Sequence, residues 1–492
     1  MDFQFALTSG QTGLKKLAVT FSRPGFYAEW RAQLEAQSLL REPKAPYPPE
    51  RLMQSVWHHQ RLRRDELRTI DGQAMRVLHP GFWNHEAGPD FRGAVVQFGQ
   101  DEPRSGDIEV DTIPRNWQGH QHDRNPAFSN VILHVVWESG AGAGCPSPTM
   151  ALEPFLDMPV VEMKNWAIGS ASEHWPESLR GNCSAPLSQL SATQTEELLL
   201  QAALIRFQRK AGELESRARR SGWEQALWEG IFRGLGYKQN IWPMQRVAEL
   251  LPELRAGADS ARELQAWLLG VAGLLPSMEA RPDDYLRLLW EHWWRESDRF
   301  RATQLPKKLW RFNGLRPANQ PQRRLALASH WLASRDFIVK LEEWFTNPKS
   351  DAALAGSLLD CLQPPSDEFW SWHWSFGSPR LAKPQPLLGE SRATDLAINV
   401  IIPWFWTRAR AGKNKHLANV ALERYQAWPE AQDNSLLRLA RNRLLGSQSA
   451  KRLRTAASQQ GLLQILNDFC NQTDALCTDC LFPDLVKGFS KA

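Results

Sequence analysis

The stretch Gly106-Asp-Ile-Glu-Val-Asp111 decides the reading of this chain. Polar and apolar residues alternate strictly along it, which is the pattern of a β-strand with two unlike faces. A period of two puts Asp107, Glu109 and Asp111 on one face and Ile108 and Val110 on the other. Carboxylates about 7 Å apart on one face repel one another, and a bound divalent cation would remove that cost. The alternative is the solvated face of an edge strand.

Further strands are expected on either side. Ala74–Leu78 follows the Asp71-Gly72 turn, Ala94–Phe98 follows the turn-rich segment His79–Phe91, and Asn130–Glu138 (NVILHVVWE) is apolar enough for a central strand. Pro114–His122 reads as a short irregular or helical link. Upstream, Pro48 and Pro49 open a helix expected to run to Arg64, with Leu52, Val56, Trp57 and Leu62 on its stripe. Gly140–Gly144 and Pro146–Pro148 read as a flexible connector. After residue 190 the pattern is helical, beginning with a Thr193–Glu196 capping box and continuing in segments such as 241–255, 323–345, 393–410 and 456–471. The expected architecture is therefore α+β: an N-terminal appendage (1–46), a mixed α/β core (47–140), a connector (141–190) and a large all-α domain (191–492).

The whole-chain numbers fit a protein of this kind. The chain has 492 residues, 42% hydrophobic and 23% charged, with a formal net charge of +5. That charge permits an acidic partner such as nucleic acid without demanding one. The 23 Trp are read first as packing aromatics, and second as platforms for bases. No apolar run reaches the length of a membrane span and the N-terminus has no signal-peptide pattern, so cytoplasm is the default expectation.

Chemistry-bearing residues concentrate between His79 and His134. Gly88 and Pro89 deliver Asp90 to a strand start, where a carboxylate either faces a ligand or satisfies its own turn. His120 and His122, one residue apart, point the same way in extended backbone, and neutral imidazoles are good transition-metal ligands. Asp90, Glu109 and His120 form the expected metal set, for Mg²⁺ or Mn²⁺. Asp90, Glu109, Asp111 and His122 are the candidate catalytic residues. His134 reads equally as a core histidine or a site residue, and His79 and His85 are weaker candidates. Arg316 and Asn319, in a basic turn before a helix, are candidates for holding phosphate. A run of Lys and Arg over 206–220 reads as a solvated helix face. Cys470, Cys477 and Cys480 read equally as a partial structural zinc site or as three reduced core thiols, with an iron–sulfur cluster as the remoter option; Cys183, Cys361 or His416 could supply a fourth ligand.

Two resemblances follow from these residues. The order helix, three strands, link, strand resembles the restriction-endonuclease-like core. That resemblance implies a metal-dependent nuclease, with Asp90 and Glu109 as its acids and Glu50 as its helical carboxylate. Where it implies a lysine, this chain has Asp111. Over most of its length the sequence also resembles the bacterial family known as domain of unknown function 2851, through HPGFWNH (79–85), GPDF (88–91), GDIEV (106–110), WQGHQH (117–122), NVILHVVW (130–137), GLGYKQN (234–240), LRPAN (315–319) and the C-terminal cysteines. Members of that family usually carry His at the position of Asp111. The expected function is a metal-dependent phosphodiesterase acting on nucleic acid, and the alternative is a non-catalytic scaffold that binds nucleic acid or protein.

Overall fold

The structure is a computed structural model that describes residues 24–32, 47–84, 87–139, 145–160, 163, 181–258, 260–278, 284–347, 350, 353–446, 453–470, 477 and 480–490. His85 and the Gly140–Gly144 connector lie outside the described residues.

Six strands form one mixed sheet: β1 (Met75–His79), β2 (Phe82–Trp83), β3 (Phe91–Phe98), β4 (Arg104–Asp111), β5 (Val131–Val136) and β6 (Thr149–Ala151), in the order β1-β3-β4-β5-β6 with β2 beside β3. The pairs β1–β3 and β3–β4 are antiparallel, whereas β4–β5 and β5–β6 are parallel. Strand β4 is therefore central, which removes the solvated-edge reading of its acids. The parallel crossover from β4 to β5 runs through the single helical turn Asn116–Gly119 and two 3₁₀ turns. β4 can lie close against β5 because position 106 is glycine: a Cβ there would sit 2.3 Å from Ile132 Cγ2 and 2.6 Å from the Asn130 carbonyl oxygen.

Two expectations at the sheet's margins need correction. The segment read as a connector contributes β6, whose three residues are too few to show a period. The first helix is Glu50–His59 and stops well before Arg64, because Gln60 adopts a left-handed conformation and closes it. Its buried residues Leu52, Met53, Val56 and Trp57 meet Phe91, Val96, Ile108 and Leu133 in one core.

From residue 184 onward the described chain is mainly helical and carries no strand of the sheet. The 30-residue helix Ala192–Ser221 begins with a capping box made by Ser191 and Gln194, two residues earlier than the Thr193–Glu196 pair expected. Local breakers split other expected helices: 323–345 divides into Pro321–Ala333 and Phe337–Thr346, and 241–255 divides next to Pro252. The run over 206–220 is not a solvated face. Arg206 donates to Gln460, Lys210 contacts Asn399, and Arg217 forms an ion pair with Glu229 at 2.7 Å.

Sheet and helices share their packing. Leu78 and Val95 belong to the large helical core rather than the sheet's own. Half-buried Arg64 donates to Glu249 Oε1 (2.7 Å) and to the Val77 carbonyl (2.9 Å), tying β1 to helix Ile241–Glu249. Within the segment read as an appendage, residues 26–32 form a helix, and Phe26 and Tyr27 are buried among the C-terminal helices. Among the described residues, no helix is long and apolar enough to cross a membrane.

Candidate metal centre

Three elements converge where β3 begins and β4 ends. β3 opens on Asp90, delivered by the Gly88-Pro89 turn. The Asp90 backbone N–H donates to Glu109 Oε2 at 3.2 Å, and Asp90 Oδ2 accepts from the Val110 N–H at 3.0 Å. The first helix adds Glu50 and Gln54, which share a face at i, i+4 spacing. Gln54 Nε2 donates both to Glu50 Oε1 (3.1 Å) and to Asp90 Oδ1 (2.8 Å). The β4–β5 crossover then brings in the histidines. His120 Nδ1 lies 3.2 Å from Asp111 Oδ1, and His122 Nε2 lies 3.2 Å from Glu109 Oε1. From β5, fully buried His134 places Nε2 2.9 Å from Asp111 Oδ2. Trp117 packs against both His122 and His134, with ring centroids 5.3 and 5.4 Å away.

Asp107 does not join this group. Its two oxygens accept from the Gly93 N–H and the Asn130 amide, so it fastens the neighbouring strands.

The electrostatics are those of crowded, water-poor carboxylates. Burial, followed by the charge of Glu50, pushes Asp90 up to about 7. Burial, followed by Asp90 and Asp111, pushes Glu109 up to about 9. Glu50 is raised by burial and then by Asp111. Burial lowers His122, which favours the neutral imidazole that metal ligation requires.

Among the described residues, one group brings three metal-type ligand atoms within 4.8 Å of one another, and it is Asp111, His120 and His122. The shared set thus differs from the Asp90, Glu109 and His120 expected from sequence: Asp111 and His122 converge with His120, while Glu109 and Asp90 stand immediately behind. His122 Nε2 is buried and makes no hydrogen bond, although it is only 3.2 Å from a carboxylate oxygen. An orphaned imidazole nitrogen aimed among carboxylates fits a cation, which would satisfy the nitrogen and offset the charge together. His120 is half exposed, so the group opens to solvent on that side. Two imidazoles and a carboxylate suit manganese, iron or zinc better than magnesium.

Other candidates lie apart from this group. His79 Nδ1 accepts from the Gly81 N–H and serves the turn. Asn319 Oδ1 accepts from Arg324, while Arg316 is exposed. Their loop approaches the sheet at Arg311, whose guanidinium lies 5.1 Å from the Phe82 ring. Sequence reasoning missed Gln54 and the Asp111–His134 pair. The first had a signal, its i+4 offset from Glu50; the second depends on a strand pairing that sequence does not show.

No curated protein and no solved structure matches the chain. Residues 50–434 match one family, spanning both the sheet and most of the helices. On that match the chain belongs to the family described as protein of unknown function (DUF2851).

Proposed function

We propose that the protein is a metal-dependent phosphodiesterase acting on nucleic acid, with Asp111, His120 and His122 holding the cation. The observation that carries this is the convergence of those three ligands, with the buried His122 Nε2 making no hydrogen bond. Also in its favour is the order of elements, a helix, an antiparallel run β1-β3-β4, a short helical link and a parallel strand, with Asp90, Glu109 and Glu50 where the nuclease-like resemblance puts its acids.

A divalent cation held by Asp111, His120 and His122 would activate a water and neutralise charge on a phosphate. The chain's own groups do the rest. Asp90, poised at about 7, accepts a proton near neutral pH. Glu109, held protonated to about 9, can return one to a leaving oxygen. His134 orients Asp111 by its 2.9 Å contact. Exposed Arg92, Arg115 and Arg124, on the segments that carry Asp90 and the histidines, offer cations to the phosphate backbone.

The test is to strip the protein of metal, add Mn²⁺, Zn²⁺ or Mg²⁺, and follow cleavage of single- and double-stranded DNA and RNA. Cleavage that needs added metal and is lost in Asp111→Asn and His120→Ala is expected. No cleavage with any cation, or cleavage unchanged in both variants, overturns the proposal. A second reading, binding without turnover, rests on Asp111 standing where the resemblance calls for a lysine; salt-dependent binding with no product separates the two.

A further inference from the structure

Four cysteines from three separated segments meet in the C-terminal core. Cys183 immediately precedes helix Ser184–Gln189, Cys470 ends the turn Leu466–Cys470, and Cys477 and Cys480 lead into helix Phe482–Ser490. Cys183 and Cys470 are buried. Between them stands Arg443 of helix Ser435–Leu445, only 2% exposed. Its Nε donates to Cys470 Sγ at 3.3 Å and its Nη2 to Cys477 Sγ at 3.6 Å. The Arg443 carbonyl accepts from the Gly181 N–H at 2.9 Å. A Cβ on Gly181 would stand 3.0 Å from that carbonyl and 3.1 Å from Cys183 Sγ, so glycine here lets the Cys183 segment close on Arg443. The Cys480 N–H donates to the Cys477 carbonyl at 3.4 Å, which keeps the two cysteines of the C-x₂-C pair close together.

We propose that Cys183, Cys470, Cys477 and Cys480 together hold a thiolate-ligated metal centre, with Arg443 as its buried counter-charge. A buried guanidinium donating to two sulfurs is far better matched by thiolates than by neutral thiols. Four such thiolates outnumber one guanidinium, and a metal that shares their charge offsets the remainder. Cys183 and Cys470 are buried in one core cluster, and Cys480 packs against it. The sulfurs are nonetheless spread: among the described residues, no three of them lie within 4.8 Å of one another. Ligands on a single zinc ion stand about 3.8 Å apart, so the spread suits a polynuclear iron–sulfur cluster better than one zinc ion. Cys183 lies within the residues matched to the family, and the other three ligands lie beyond them.

The experiment is metal and acid-labile sulfide analysis of the full chain purified without oxygen. About four irons with matching sulfide and a brown colour, or about one zinc, each supports a four-thiolate centre and distinguishes its kind. Cys183→Ser should lose the metal and Cys361→Ser should keep it; metal retained in Cys183→Ser overturns the assignment of Cys183. If Cys183→Ser does not fold, thiol labelling of the wild type decides: four of the six cysteines should react only after metal release. A metal-free protein whose thiols all react at once overturns the proposal.

Discussion

Replacing Glu109 by glutamine should stabilise the metal-free protein at alkaline pH, even though Glu109 is buried at the centre of the sheet. Folding raises its pKa from 4.5 to about 9, chiefly through burial and then through Asp90 and Asp111. A carboxyl raised in this way favours the folded state only while it is protonated in both states, and stability falls as pH climbs from about 4.5 toward 9. At pH 8 the unfolded chain carries an ionised Glu109 and the folded chain a protonated one. The gap of about 3.5 between pH 8 and its ordinary value corresponds to about 5 kcal/mol. Glutamine keeps the geometry, since its carbonyl can accept from the Asp90 N–H and its amide can face His122 Nε2. In chelator, Glu109→Gln should therefore unfold at higher urea than wild type at pH 8, by up to about 5 kcal/mol, with the difference vanishing near pH 4. Added Mn²⁺ should raise the wild type and narrow the gap. A variant less stable than wild type at pH 8, or a difference indifferent to pH, would refute the idea that Glu109 is held against its charge.

Two further outcomes follow from the packing. Gly106→Ala should lower stability by about 3 kcal/mol in urea denaturation, because the added methyl meets Ile132 and the Asn130 carbonyl of the adjoining chain; a wild-type midpoint would contradict that close approach. Glu249 is opposed by burial but held at about 2 by Arg64 and Arg246, so it contributes stability above pH 4.5 that is lost as pH falls through about 2. Glu249→Gln should cost about 3 kcal/mol at pH 7 and nothing below pH 2, and an equal loss at both would show that the ion pair is not the cause.

How much of this was legible depended on the range of the signal. β4 was legible because its alternation is local, and it carried Glu109 and Asp111 with it. Asp90 was legible because glycine and proline mark the turn that delivers it. The His-x-His spacing pointed to His120 and His122, but not to which acid they meet. That partner is set by the β4–β5 crossover, and no local pattern encodes a parallel register. β2 and β6 were illegible because two or three residues carry no period. The Thr193–Glu196 capping box failed because Ser191–Gln194 offers the same chemistry two residues earlier, and the backbone there chose it. Arg443 gave no signal at all: one arginine in a basic helix looks like any other until its sulfur neighbours arrive from 27 and 34 residues away.

The sharing of Leu78 and Val95 with the helical core has a practical side. The sheet looks portable, since it is contiguous in sequence and holds the whole candidate centre. Cut free after β6, it would expose two core residues and strand Arg64 without Glu249. A minimal fragment for assays or crystals should therefore be sought by trimming the ends of the chain and not by separating its halves. Homologues that lose helices around Ile241–Glu249 would be expected to lose the sheet with them.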